Sequence, residues 1–404
     1  MPTEIATVFD ADNHYWETSD AFTRHRHPEF AERGVVLRDV DGKPHYYVNG
    51  CQHPILPGPG DAHRRPRPGA LYDYFAGRTD KGSLGDELAA EDPGEHPEWF
   101  DREARLRCMD AQGVEAAWLF PSQGVCMEGP MQPDVEAAIE VFRAFNRWLE
   151  EDWGFAYRDR IFAVPYLILS DVRRAVAELE WCLGRGARVV SIRNGPVFTA
   201  DGTRSPADQT FDPFWARVQD AGVVVAPHAG FDDGYREVER AIAGAWGYRS
   251  SRRDDGPTNA VTLQEPFVQM LMKHRLVHDF AGALVAHRLF ERFPRLRIAY
   301  IENGGTWVGP LLHGLQLLAA QNPGMFAVSP VDQFTEHCWV APFVEDSVDD
   351  LAAHLPVERI LFGSDWPHAE GMAHPRDFFV NVASFSIADQ RRIMVDNARE
   401  LTFT

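Results

Sequence analysis

Apolar residues are gathered in short, β-rich runs, each closed by polar side chains, Gly or Pro. Eight recur: 7–14 (TVFDADNH), 116–122 (AAWLFPS), 161–167 (IFAVPYL), 188–194 (RVVSIRN), 222–228 (GVVVAPH), 296–303 (LRIAYIEN), 336–343 (EHCWVAPF) and 359–365 (RILFGSD). Unbroken apolar runs of this length suit strands buried on both faces. Helical spacing fills most gaps, at 134–152 after a proline, at 170–186 between a Ser-Asp cap and a glycine, and at 211–222, 281–294 and 386–402. Strands alternating with helices predict parallel β/α units, and eight units predict an α/β (β/α)8 TIM barrel with its site at the C-terminal strand ends. An open doubly wound sheet is the alternative, weakened because no GxGxxG pattern follows the first run.

Two gaps exceed one helix. Residues 15–105 and 231–280, the latter holding RSSRRDDGPTN (249–259), are expected as insertions after strands one and five that shape or cover the pocket. The 404 residues are expected to form one domain, 1–404.

Composition narrows the function classes. Apolar residues make up 45% and charged residues 25%, an ordinary balance for a folded chain. The net charge of −20, from 60 acidic against 40 basic residues, repels phosphate backbones and anionic lipid, which argues against nucleic-acid and membrane partners. The basic stretch His63–Gly69 is short and broken by prolines, so it reads as a solvated loop or, less readily, a partner or substrate-anion contact. Five scattered cysteines without CxxC spacing argue against a disulfide framework. With neither a signal-like N-terminus nor a membrane-length apolar run, a cytoplasmic location is expected.

The strand ends carry the chemistry. Strand one ends Asp12-Asn13-His14, strand five at His228, strand six at Glu302-Asn303 and strand eight at Asp365. In a barrel these converge, and Asp12 and His14, two apart, share a face. A lone strand-end Asp is usually a cap and a lone His usually a satisfied core residue. Together, two imidazoles and two carboxylates suit one Zn2+, Mn2+ or Fe2+ ion, which also offsets the cost of burying the charge.

The pieces DADNH, PHAG, RFPRLRIAYIENGGTW, WVAPFVED, LFGSDWPHAEG and DNAREL, spread over residues 8–402, resemble the amidohydrolase superfamily in its amidohydrolase-related, aminocarboxymuconate-semialdehyde-decarboxylase-like branch. The resemblance implies a (β/α)8 barrel holding one divalent metal, zinc first with manganese or iron as alternatives, on Asp12, His14, His228 and Asp365. Three positions depart from the family pattern. Asp12 stands where many members have the first histidine of His-x-His, which adds negative charge and favours a harder cation or a weakly held zinc. Strand four ends in Arg193 where two-metal members have a carbamylated lysine, implying a single metal. Glu302 stands where decarboxylating relatives place a histidine, and could orient a ligand, act as a base or anchor the segment behind it.

Other candidates have two readings each. Arg193 is a fork for a substrate carboxylate or half of a buried ion pair. His278 is a supporting or acid/base group, beside an Asp279 better read as a helix cap. His368 touches substrate or holds its loop with Glu370, and Trp366, with neighbouring aromatic residues, floors the pocket or packs. The expected function is metal-dependent hydrolysis of a small aromatic or carboxylate-bearing substrate, with Asp365 moving the proton of a metal-activated water. The alternatives are non-oxidative decarboxylation of an aromatic or enoic acid and an inactive barrel acting as a binding subunit. A homo-oligomer, a dimer, is expected.

Overall fold

The computed structural model describes residues 5–53, 55–79, 84–230, 236–247 and 266–404. The loop 249–259 singled out above lies outside them.

Each apolar run pairs in parallel with the next. Val8–Tyr15 pairs with Val114–Pro121, and that strand with Ile161–Ala163. The third run splits because Pro165 has no N–H to give a ladder. Its second piece, Tyr166–Leu167, pairs with Val189–Ile192 and so carries the order into a five-stranded parallel sheet. That sheet continues through Val224–Val225, Ile298–Tyr300 and Cys338–Val340. Residues 360–366 bridge onward, Ile360 to Val340 on one side and Trp366 to Asn13 on the other. The eighth run is therefore no regular strand. It makes single parallel bridges, with its Ala11 N–H···O=C Phe362 bond at 2.9 Å.

Helices follow their sequence signals where caps were legible. Asp134 and Asp171 accept N–H bonds at the starts of Val135–Asp152 and Val172–Leu183, and Gly222 closes Asp212–Ala221 in the left-handed region. The run expected as one helix over 281–294 is two, Arg275–Ala286 and Leu289–Arg292, broken at Arg288 with φ 61°. The C-terminal helix is interrupted by a π turn at Arg392–Asp396. Among the described residues the first insertion carries an antiparallel sheet, Val35–Val40, Lys43–Val48 and Cys51–Gln52. The second carries helices Arg236–Ala245 and Pro266–Met272.

The basic stretch is not a solvated loop. Arg65 is buried, donates to the carbonyls of Gly58 and Gly60, and lies 4.5 Å from the Trp16 ring centroid. The core is aromatic between the first three strands, where Phe9 stacks on Phe162 and Trp118 donates to Thr402 of the last helix. No helix among the described residues is long and apolar enough to cross a membrane.

Candidate metal centre

The polar ends of strands one, five, six and eight meet. His14 Nε2 lies 3.3 Å from Asp12 Oδ1, 3.3 Å from Asp365 Oδ1 and 3.6 Å from Glu302 Oε2. His228 Nε2 lies 3.4 Å from Asp12 Oδ1 and 3.2 Å from Glu302 Oε2. Two overlapping sets form, Asp12–His14–His228–Glu302 and His14–Glu302–Asp365–His368, each with ligand atoms mutually within 4.8 Å. That span is about twice a zinc–ligand bond of roughly 2.0–2.3 Å.

Local structure aims these groups inward. Asp365 and Glu302 have φ of 55° and 54°, a left-handed conformation rare outside glycine. Gly363 lets the eighth run press onto strand one, since a Cβ there would lie 2.4 Å from the Asp12 Cβ. His228 Nδ1 must donate to the Ala229 carbonyl 2.6 Å away, because a carbonyl can only accept. In the neutral ring this leaves the Nε2 lone pair facing the acids.

A second layer, not foreseen from the sequence, holds the first. Asp10 accepts from Ser364 Oγ at 2.6 Å, Ser364 N at 2.9 Å and Asn13 Nδ2 at 2.9 Å, tying strand one to the strand-eight loop. The buried Arg105 guanidinium donates to Asn13 Oδ1 at 2.5 Å, the His14 carbonyl at 2.7 Å and the Glu98 carbonyl at 2.7 Å, and packs 4.6 Å from the Trp366 ring centroid. An arginine inside a helix, 91 residues from His14, leaves no spacing signal. Ser122 Oγ donates to the Tyr15 carbonyl and so accepts from His368 Nε2 at 2.8 Å, while His368 Nδ1 sits 2.7 Å from Asp365 Oδ1.

The remaining candidates separate. His368 joins the cluster and stacks on His14, with centroids 4.0 Å apart. Trp366 is buried against Trp16, Trp99 and Arg105. Arg193 donates to the Pro196 carbonyl, lies 3.7 Å from the Phe198 centroid, and lines a small cavity with His228, Glu128 and Tyr166. His278 is in neither set; its ring is 39% exposed, 3.5 Å from Asp279.

The electrostatics suit a cation. Burial pushes Asp365 well above the carboxylate range, and the charge of Glu302 adds to the shift. Burial alone would lower His14, but Asp12 and Glu302 outweigh it and raise the imidazole to about 9. Neither ring nitrogen of the fully buried His14 has a hydrogen-bond partner among the described residues. Buried polar atoms left this way cost about 1–3 kcal/mol each, unless a ligand completes them. Three carboxylates around two imidazoles, one of them unpartnered, fit a divalent metal ion.

Residues 9–402 match the Amidohydrolase family. The chain belongs to that family. Among solved structures, amidohydrolase map2389c from Mycobacterium avium subsp. paratuberculosis K-10 is 37% identical with TM-score 0.88, covering 98% of this chain and 99% of that one. Gamma-resorcylate decarboxylase of Rhodococcus jostii (strain RHA1) is 28% identical over 314 residues, 74% of this chain and 87% of that protein. Its counterpart from Rhizobium radiobacter is 27% identical over 319 residues, 74% of this chain and 86% of that protein. The amidohydrolase-superfamily neighbours in the structural comparison are TIM barrels, and the parallel strand order described above is the order of that fold.

Proposed function

We propose that this amidohydrolase-family protein is a divalent-metal-dependent, non-oxidative decarboxylase of a hydroxylated aromatic acid, built on a closed (β/α)8 barrel of one domain. The observation that carries the reading is the buried cluster around His14, whose ring nitrogens have no hydrogen-bond partner among the described residues while three carboxylates face Nε2. The gamma-resorcylate decarboxylase relatives favour carbon–carbon cleavage over the hydrolysis expected first from the sequence.

Asp12, His14 and His228 would hold the ion together with a carboxylate from strand six or eight. Bound there, a divalent cation supplies positive charge to anchor the substrate's carboxylate and an adjoining oxygen, and offsets the acids. Asp365 carries the proton. Burial and neighbouring charge favour its protonated form, and it gives that proton to the ring carbon bearing the carboxylate. A C–H bond forms, the bond to the carboxylate breaks with its electron pair returning to the ring, and CO2 leaves. Solvent then returns a proton to Asp365. His368, hydrogen-bonded to Ser122 and with Nδ1 2.7 Å from Asp365 Oδ1, keeps the carboxyl oriented. Arg193, beside His228 in the small cavity, receives a second acidic group of the substrate.

The test is a panel of hydroxybenzoates, lactones and amides assayed before and after chelation. Turnover of a hydroxybenzoate, lost on chelation and restored by a divalent ion, is expected. Metal-dependent hydrolysis of a lactone or amide with every aromatic acid untouched would overturn the reading.

A further inference from the structure

Within that metal-site reading, on which this inference rests, we propose that Glu302 is a ligand to the ion, and that its carboxylate narrows the centre's selectivity between zinc and manganese. Both ways to enclose an ion use it: Asp12, His14, His228 and Glu302 offer atoms mutually within 4.8 Å, and so do His14, Glu302, Asp365 and His368. Glu302 Oε2 lies 3.2 Å from His228 Nε2 and 3.6 Å from His14 Nε2. Among the described residues, these imidazoles are the only basic groups within 4 Å of its carboxylate. Asp365 differs, since its Oδ1 already meets His368 Nδ1 at 2.7 Å. Ligand duty thus falls to Glu302, and Asp365 keeps the proton.

The backbone shows that the placement of Glu302 is built in. Its φ of 54° is strained for a side chain with a Cβ, and the next residue locks it. Buried Asn303 donates from Nδ2 to the carbonyls of Ile301 at 2.7 Å and Pro227 at 3.1 Å, and accepts from Asn194 Nδ2 at 2.6 Å. This clamp joins the ends of strands four, five and six at the residue next to Glu302. An αL turn with two interstrand bonds and one local bond around it is more than a loop needs merely to change direction.

The ligand chemistry sets the consequence. Zinc outranks manganese in raw affinity at most nitrogen and oxygen sites, and imidazole widens that gap while carboxylate narrows it. Placing a second carboxylate ligand where a histidine could stand makes the centre oxygen-rich. The experiment measures dissociation constants for Zn2+ and Mn2+ by competition with a chromophoric chelator, on wild type, Glu302→Gln and Glu302→His. Near-ultraviolet circular dichroism in chelator checks that each variant is folded; where one is not, the other decides. Glu302→Gln is expected to lose at least tenfold in Mn2+ affinity, and Glu302→His to raise the Zn2+-over-Mn2+ preference at least tenfold. Mn2+ affinity within twofold of wild type in Glu302→Gln, or an unchanged preference in Glu302→His, would overturn the assignment. Wild type that binds neither ion would instead defeat the metal-site reading itself, and this inference with it.

Discussion

Two groups of buried polar residues share strand one and the strand-eight loop, yet their hydrogen bonding is opposite. Asp10, Asn13 and Ser364, with Arg105 behind them, are bonded to one another and to the backbone. His14 has neither ring nitrogen bonded, and Asp365 Oδ1 lacks a hydrogen bond of good geometry. Burial is equal in kind, so desolvation does not separate them. What separates them is satisfaction: a completed network fixes geometry, whereas an incomplete one is completed only by something bound. The scaffold should therefore govern stability, and the cluster should govern activity.

Replacing Asp365 gives the largest effect. Asp365→Asn keeps the shape but cannot carry the proton, so turnover should fall by roughly 10²–10⁴-fold, the usual weight of an acid–base group, while thermal stability in chelator stays near that of wild type. Turnover within a few-fold of wild type would erase the division between the two groups.

Next comes the scaffold. Arg105→Met leaves the Asn13, His14 and Glu98 oxygens without their donor. Metal-free protein should lose about 3 kcal/mol in urea unfolding. Asp365→Asn, by contrast, exchanges a carboxyl that burial keeps protonated for its neutral isostere and should cost no more than about 1 kcal/mol in the same metal-free protein. Equal losses would break the comparison.

Arg193→Lys keeps charge but loses the planar fork. The Michaelis constant should rise about tenfold with the unfolding midpoint unchanged. A lower midpoint with unchanged kinetics would move Arg193 to the scaffold.

The smallest effect concerns Glu17, a fully buried carboxylate accepting from the Gln123 and Gly124 N–H groups. Burial raises it from 4.5 to about 7 against the pull of those bonds. Between these values the native state holds a proton that the unfolded chain has lost, so this group's contribution to stability declines as pH rises through that window. Glu17→Gln should flatten the decline between pH 4.5 and 7. An unchanged slope would show that Glu17 titrates as it does in the unfolded chain.

Much of the framework was legible because it rests on local signals. The apolar runs, the helix start after Pro133, the Asp171 cap and the closing Gly222 are read from neighbouring residues. The eighth run misled because its apolar residues are buried without a regular ladder, and periodicity reports burial rather than pairing. The convergence of Asp12, His14, His228, Glu302 and Asp365 was legible through strand ends. Their support was not: Arg105, Ser122 and Asn303 act through contacts set only by the folded chain. His278, singled out from its sequence neighbourhood, lies within the helix Arg275–Ala286 beside Asp279 and outside both ligand sets.

The most direct measurement incubates metal-replete protein in D2O with the hydroxybenzoate that the panel shows to be consumed, and follows CO2 release together with the product's proton spectrum. The account predicts one CO2 per substrate consumed and a single deuterium on the ring carbon that bore the carboxylate. Metal-dependent consumption of the substrate without CO2, or CO2 release with no deuterium at that carbon, would contradict it.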